Sequence, residues 1–228
     1  MEAVTKNNPS KILEVKNLTV GYKERGGTTG VLENVSFSLY QGEILGLLGD
    51  SGSGKTTLCK CILGLLQDYT GEVIHYSKSP QMVFQDPYAA LNPMKTIGWI
   101  LEEPLRVRRI KKHKRREMVC EILEEVNLNS DYYNRYPKEL SGGQRQRVSI
   151  ALALLTNPQF ILADEPLSAL DVTVQAQIIE LIKRLQKDKG ISFLFVSHDL
   201  DVVSNLCKRV LIVDGKGLRE VALFEKSK

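Results

Sequence analysis

Gly49 to Thr56 reads GDSGSGKT, preceded by the almost continuously apolar EILGLL of Glu43 to Leu48 and followed by helical spacing from Thr57 to Leu66. The octet fits GxxxxGK[ST], and it stands where that pattern works, between a strand covered on both faces and a helix. At average residue usage it arises by chance in on the order of one in a hundred chains of this length. Gly49, Gly52 and Gly54 permit a tight loop whose N–H groups converge on phosphate oxygens at a helix N-terminus. Asp50, Ser51, Ser53 and Thr57 complete the candidate cradle. Lys55 supplies a point charge that can reach β- and γ-phosphates, and Thr56 a hydroxyl for Mg²⁺.

Working outward, Gln81 to Phe84, Phe160 to Ala163, Ile191 to Val196 and Val210 to Val213 are further buried-strand candidates. They alternate with helical spacing at Thr57 to Leu66, Val172 to Asp188 and Asp199 to Cys207, which predicts a mostly parallel sheet. Toward the N-terminus, Ile12 to Tyr22 and Asn34 to Tyr40 alternate apolar and polar residues around the Gly-rich GGTTG, and so predict an antiparallel pair. LREVALF near the C-terminus is strand-like. From Asp86 to about Leu155 the strand signal disappears. Helices are expected there near Ile97 to Arg109, Lys114 to Val126 and Gln144 to Leu155. The expected fold class is α/β, a P-loop NTPase core with an N-terminal antiparallel β subdomain and an inserted α-helical subdomain. Residues 1–85 and 156–228 would form the core of one domain, and 86–155 the insertion.

Composition supports an ordinary globular chain: 228 residues, 43% hydrophobic and 25% charged. The formal charge of +4 is too small for phosphate-backbone binding to dominate, so no nucleic acid is expected. Cys59, Cys61, Cys120 and Cys207 form no CxxC pair and are expected as reduced thiols. No apolar run approaches the ~18 to 20 residues of a membrane span, and the start MEAVTKNNPSK lacks the apolar core of a secretory signal. The chain is expected in the cytoplasm; work at a membrane would need another chain to supply the span.

FILADE, Phe160 to Glu165, ends a buried strand in two carboxylates. Ligands in open α/β folds bind at the carboxyl edge of the sheet, so this pair and the phosphate loop should share a crevice. Asp164 is the expected Mg²⁺ partner, and Glu165 a general base for an attacking water. Taken alone, the pair also fits a helix start before Pro166. Leu140 to Arg147 reads LSGGQRQR ahead of an apolar-periodic stretch. Ser141 suits an N-cap, while Gly142 and Gly143 leave the first N–H groups open, a second anion cradle.

LSGGQ, with GDSGSGKT upstream and an acidic pair downstream, resembles the ATP-binding-cassette ATPases over nearly the whole chain. The resemblance implies ATP with Mg²⁺, and a head-to-tail dimer in which Ser141, Gly142, Gly143 and Gln144 of one subunit cap the ATP held by the other. Tyr22 matches the aromatic that stacks on adenine. Gln85 matches the glutamine that senses Mg²⁺ and the attacking water, Asp171 belongs to the loop that reaches across the dimer, and His198 matches the γ-phosphate histidine. Alone, Tyr22 and His198 would more often be structural.

VFQDPYAALNP (Val83 to Pro93), EEPL (Glu102 to Leu105) and ADEPLSALDVTVQAQI (Ala163 to Ile178) resemble the ATPase subunits of oligopeptide, dipeptide and nickel importers. That likeness implies a non-identical partner cassette, two transmembrane permease subunits docking near Asp86 to Met94, and an extracellular solute-binding protein acting indirectly. It implies a place at the cytoplasmic face of the membrane. The branch usually has a C-terminal extension, whereas this chain stops at Lys228, and its link between phosphate loop and Gln85 is short; peptide, nickel and metal-chelate cargo all stay open. A cassette ATPase without a membrane partner is the alternative, although such proteins usually carry two cassettes or long coiled coils. The basic run Arg106 to Arg116 (RVRRIKKHKRR) suggests anionic lipid or nucleic acid on charge alone, but the Glu-rich stretch that follows offsets it, and it is read as a solvated helix face and turn.

Overall fold

The computed structural model describes residues 10–24 and 27–222. Its first half runs β1 (Lys11–Glu24), β2 (Gly27–Tyr40), β3 (Ile44–Leu48), α1 (Lys55–Ile62), β4 (Tyr69–His75) and β5 (Gln81–Val83). Helices follow: α2 (Pro87–Ala90), α3 (Ile97–Val107), α4 (Lys112–Glu125) and α5 (Gly142–Leu154), with 3₁₀ turns at Ser130–Asn134 and Pro137–Glu139. The last part alternates β6 (Phe160–Asp164), α6 (Val172–Lys189), β7 (Ser192–Ser197), α7 (Leu200–Leu206), β8 (Arg209–Asp214) and β9 (Gly217–Ala222).

Two sheets carry these strands. The antiparallel one has the order β2-β1-β4, and the larger one β5-β6-β7-β3-β8-β9. In the larger sheet only the β8–β9 pairing is antiparallel. Its strands are apolar on both faces because both faces are covered, and residue parity decides which core each side chain joins. Leu45, Leu47, Phe160, Leu162, Leu194 and Val196 pack with α1 and the antiparallel sheet. Ile44, Ile161, Ala163, Phe193 and Phe195 pack in one continuous cluster with the helices of the middle segment and with α6 and α7. Gly46 points to α7, where a Cβ would lie 2.7 Å from Val203 Cγ1.

The middle segment is tied by a buried carboxylate. Glu102 on α3 accepts from Tyr133 Oη at 2.6 Å and from Arg115 Nε at 2.9 Å. The Tyr133 ring lies so close to α3 that a Cβ at position 98 would stand 2.6 Å from it, so Gly98 is the residue that admits it.

Four expectations need correction. Tyr69 to His75 is a third antiparallel strand: Gly71, at φ 94°, lies so close to the Asn17 carbonyl that a Cβ there would stand 2.5 Å away. β2 begins at Gly27, so most of GGTTG is strand, and β1 runs past Tyr22 to Glu24. The helix expected to reach Leu66 ends at Ile62 because Gly64, at φ 70°, closes it with Gly64 N–H donating to Cys61 O and Leu65 N–H to Lys60 O. No helix starts at Pro166; α6 starts only at Val172. Within LREVALF, β9 covers the part up to Ala222, and residues 223–224 lie outside the described residues, as does the start up to residue 9.

Candidate functional site

Parallel pairing brings the carboxyl ends of β5, β6, β7 and β3 to one edge, in that spatial order. The residues that leave those ends are Gln85, Asp164 with Glu165, His198, and the loop from Gly49 to Gly54. Sequence distances of more than a hundred residues collapse into one row of side chains.

The loop turns through Gly52 at φ 80° and Gly54 at φ 101°, left-handed conformations that glycine alone adopts without cost. A Cβ on Gly54 would also sit 2.7 Å from Val31 Cγ1. Lys55, only 4% exposed, donates to the carbonyls of Gly49 at 2.7 Å and Asp50 at 2.8 Å, and its ammonium stands 3.5 Å from Glu165 Oε1. The buried Ser53 hydroxyl has no hydrogen-bond partner among the described residues. A buried donor of this kind costs free energy unless an acceptor reaches it, and a phosphate oxygen in the loop is such an acceptor.

Beside the loop, Thr56 Oγ1 donates to Asp164 Oδ2 at 3.2 Å. Burial pushes the Asp164 carboxyl above its ordinary value, the Thr56 hydrogen bond opposes that, and the nearby Glu165 charge adds to it. A hydroxyl and a carboxylate side by side are the hard oxygen donors that Mg²⁺ takes alongside nucleotide phosphates, so these residues fit that ion. Gln85, expected near the metal, directs Nε2 to Glu165 Oε2 at 3.3 Å and to Ser168 Oγ at 3.5 Å.

Glu165 is the meeting point of the row. Besides Lys55 and Gln85 it receives His198, whose Nδ1 lies 3.2 Å from Oε2. Its backbone is left-handed at φ 45°, a conformation that costs a non-glycine residue on the order of 1–3 kcal/mol and that recurs at functional sites. The Glu165 N–H to Val196 carbonyl bond at 3.1 Å and the Ser168 Oγ to Glu165 carbonyl bond at 3.2 Å hold it there. A cavity of about 70 Å³, lined by Glu165, Ser168, Gln175, Ser197 and His198 among others, opens beside it. That is room for water and too little for a nucleotide.

Tyr22 stands at the other side of the loop, 45% exposed, with its hydroxyl 3.1 Å from Thr57 Oγ1. Sequence reasoning had no signal for this link. The signature residues lie elsewhere. Ser141 caps α5, accepting from Gln144 N while the Gln144 side chain accepts from Ser141 N, and Gln144 Nε2 donates to Tyr132 Oη at 2.8 Å. Gly143 packs on α6, where a Cβ would meet Val174 Cγ1 at 2.4 Å, and Asp171 caps α6 by accepting from Val174 N at 3.0 Å. Among the described residues, no hydrogen bond or ion pair joins Ser141–Gln144 to Gly49–Thr57. The chain therefore gathers Lys55, Thr56, Gln85, Asp164, Glu165 and His198 at one edge, and presents Ser141 to Gln144 with Asp171 as a separate group.

A six-stranded, mostly parallel sheet with a glycine loop after β3 and an acidic pair after β6, an antiparallel sheet on one face and helices inserted between β5 and β6, defines an ATP-binding cassette. A family model described as ABC transporter matches residues 32–168, and the chain belongs to that family. The oligopeptide transport ATP-binding protein OppF of Bacillus subtilis is 43% identical over 230 residues, spanning 93% of this chain and 75% of that one. The dimeric cassette MJ0796 in a post-hydrolysis state bound to ADP and Pi superposes with a TM-score of 0.82 at 32% identity, covering 93% of this chain and 99% of that one. A putative metal-chelate type ABC transporter in an inward-facing conformation gives 0.80 at 27% identity, covering 94% and 84%.

Proposed function

We propose that the chain is the ATP-hydrolysing subunit of an importer that takes up peptides across the cell membrane. The observation that carries hydrolysis is the convergence of Lys55, Gln85 and His198 on Glu165 beside the phosphate loop. The cargo reading rests on the OppF relative, whose name specifies oligopeptide transport. Of the other cargo expected beside peptides, nickel is named by neither relative, and metal chelate only by a structural neighbour of lower identity.

In this reading Gly49 to Thr57 hold the phosphates and Tyr22 stacks on the adenine. Thr56 and Asp164 hold Mg²⁺, which when bound neutralises developing charge on the phosphates. Glu165 accepts the proton of an attacking water that Gln85 and Ser168 help to orient, and His198 contacts the γ-phosphate through the ring edge not turned to Glu165. Lys55, freed from the Gly49 and Asp50 carbonyls, places its charge on the β- and γ-oxygens.

Ser141, Gly142, Gly143 and Gln144 complete the site of a second cassette, a non-identical paralogue packed head to tail, with Asp171 at the shared interface. Their separation from this chain's own loop supports that reading. Residues 86–155 serve as the helical subdomain within one cassette domain. Two permease subunits dock against Asp86 to Met94, where Tyr88 and Met94 are exposed and Ala90 lines a groove of about 360 Å³ together with Leu65, Phe84 and Leu152 among others. No helix among the described residues is long and apolar enough to cross a membrane. In the importer reading the chain acts at the cytoplasmic face, and the solute-binding protein reaches it only through the permease.

Affinity purification from solubilised membranes, followed by peptide uptake in cells lacking the chain, tests the proposal. Two permease subunits and a second cassette should co-purify, and uptake of labelled oligopeptide should depend on the chain. Recovery without permeases, or uptake of a metal chelate alone, would overturn it.

A further inference from the structure

The most charged stretch of the chain has no part in the site above. Arg106 to Arg116 contains five arginines, three lysines and no carboxylate. It closes α3 and opens α4, whose first five residues carry Lys112, Lys114, Arg115 and Arg116, whereas Glu117 follows and Glu121, Glu124 and Glu125 lie toward its end. Both placements oppose the helix dipole.

The fold answers the acidic end. Lys189 pairs with Glu125 at 2.7 Å, Arg147 donates to the Val126 carbonyl at 2.9 Å, and Arg184 donates to the Glu125 carbonyl. It does not answer the basic end in the same way. Arg106 and Arg115 reach the buried Glu102 at 3.5 and 2.9 Å, Arg108 donates to the Leu155 carbonyl, and Arg116 lies over the Tyr133 ring. Arg109, Lys111, Lys112 and Lys114 are exposed and have no anionic partner among the described residues. Arg109 also sits at φ 59°, the helix-closing position where glycine is the usual residue. Local stability therefore does not account for these cations.

Contacts through Trp99 and Arg106 link this stretch to its surroundings. Arg106 lies 4.3 Å from the Trp99 ring and Lys95 approaches the same ring at 4.8 Å. Met94 is 80% exposed, Val107 79% and Trp99 39%. Glu102, Lys112, His113, Arg116 and Tyr133 line a cavity of about 440 Å³. A strip thus runs from the end of the segment assigned to permease docking, past a tryptophan flanked by cations, to a basic-rimmed hollow. An amphipathic aromatic, exposed aliphatic side chains and unanswered cations together are the composition of a surface that meets lipid headgroups. A chain of only +4 net charge is a poor match for a nucleic-acid surface.

We propose that this strip binds anionic phospholipid headgroups of the membrane that holds the permease. The proposal rests on the importer reading for the presence of that membrane, but its test needs neither permease nor nucleotide. Purified chain is sedimented with phosphatidylcholine vesicles, with and without phosphatidylglycerol. Binding to the anionic vesicles alone, weakening as salt rises, is the expected result. The triple variant Lys111→Gln, Lys112→Gln, Lys114→Gln should bind about a hundredfold more weakly, with melting temperature no lower than the parent's and ATP affinity unchanged. Equal binding to neutral vesicles, equal binding by the triple variant, or tighter binding of a labelled DNA duplex than of anionic vesicles at the same ionic strength would each overturn the proposal. Failure of permeases to co-purify would count against the importer reading and leave the vesicle result standing.

Discussion

Nδ1 of His198 stands 3.2 Å from Oε2 of Glu165, across the carboxyl ends of two adjacent parallel strands. A carboxylate so placed can take a proton and share its charge with an imidazole. Glu165→Gln keeps the shape and removes the proposed base. Phosphate release is expected to fall on the order of 10²- to 10⁴-fold while ATP binding persists. Single-turnover phosphate release alongside a fluorescent-nucleotide titration checks both halves, and turnover near the parent rate would refute the role of Glu165.

Gly143 on α5 packs directly against Val174 on α6. A methyl group at 143 would fall 2.4 Å from Val174 Cγ1, and a β-branched side chain has little room to turn away. Gly143→Ala is expected to cost about 1–3 kcal/mol and to displace the start of α5. Adding Val174→Ala should restore much of the loss. A double-mutant cycle read by thermal melting and ATPase rate measures the coupling, and strict additivity would argue against this contact as the cause.

Asp164 ties pH to stability with a definite sign. Its folded carboxyl holds a proton more tightly than the ordinary value of 3.8, chiefly through burial. That contribution to stability is fully present below the ordinary value and is lost as pH rises through the higher folded one. At neutral pH the charged carboxylate is therefore a cost. Asp164→Asn is expected to raise the melting temperature at neutral pH, the gain shrinking on acidification, while Mg²⁺-dependent hydrolysis is lost. A lower melting temperature than the parent at neutral pH would contradict this balance.

Gly98 faces the flat of the Tyr133 ring, and Tyr133 in turn donates to Glu102. Gly98→Ala forces either the ring or α3 to move and should cost about 1–3 kcal/mol, or about 2–4 °C of melting temperature per kcal/mol in a chain of this size. Thermal denaturation by circular dichroism reads it directly. No shift would mean that the ring relaxes freely.

The signals that reached the sequence level were those that a short stretch carries by itself. Glycines at fixed spacing, a buried strand ending in Asp164 and Glu165, and Ser141 three residues before Gln144 each announce their local structure. The elements that escaped depend on distant partners. Tyr69 to His75 is strand because β1 pairs with it, and Gly71 breaks its pattern. The α2 turn did have a local signal, since Asp86 followed by Pro87 is a cap and a first helical residue, and Asp86 Oδ1 does accept from Tyr88 N and Ala89 N. The left-handed backbone of Glu165 had none. Nor did the Tyr22–Thr57 hydroxyl pair, which joins β1 to α1 across the intervening β2 and β3.

The single apolar cluster that joins Leu101, Leu123 and Val148 to Ile161 and Phe195 has a practical consequence. The helices of the middle segment own no private interior; one wall of it is the sheet. Cut out as a fragment, residues 86–155 would expose that wall to water and collapse or aggregate. Any swap of this segment between related chains must therefore bring the matching sheet residues with it, since the seam runs through the oil and not through a linker.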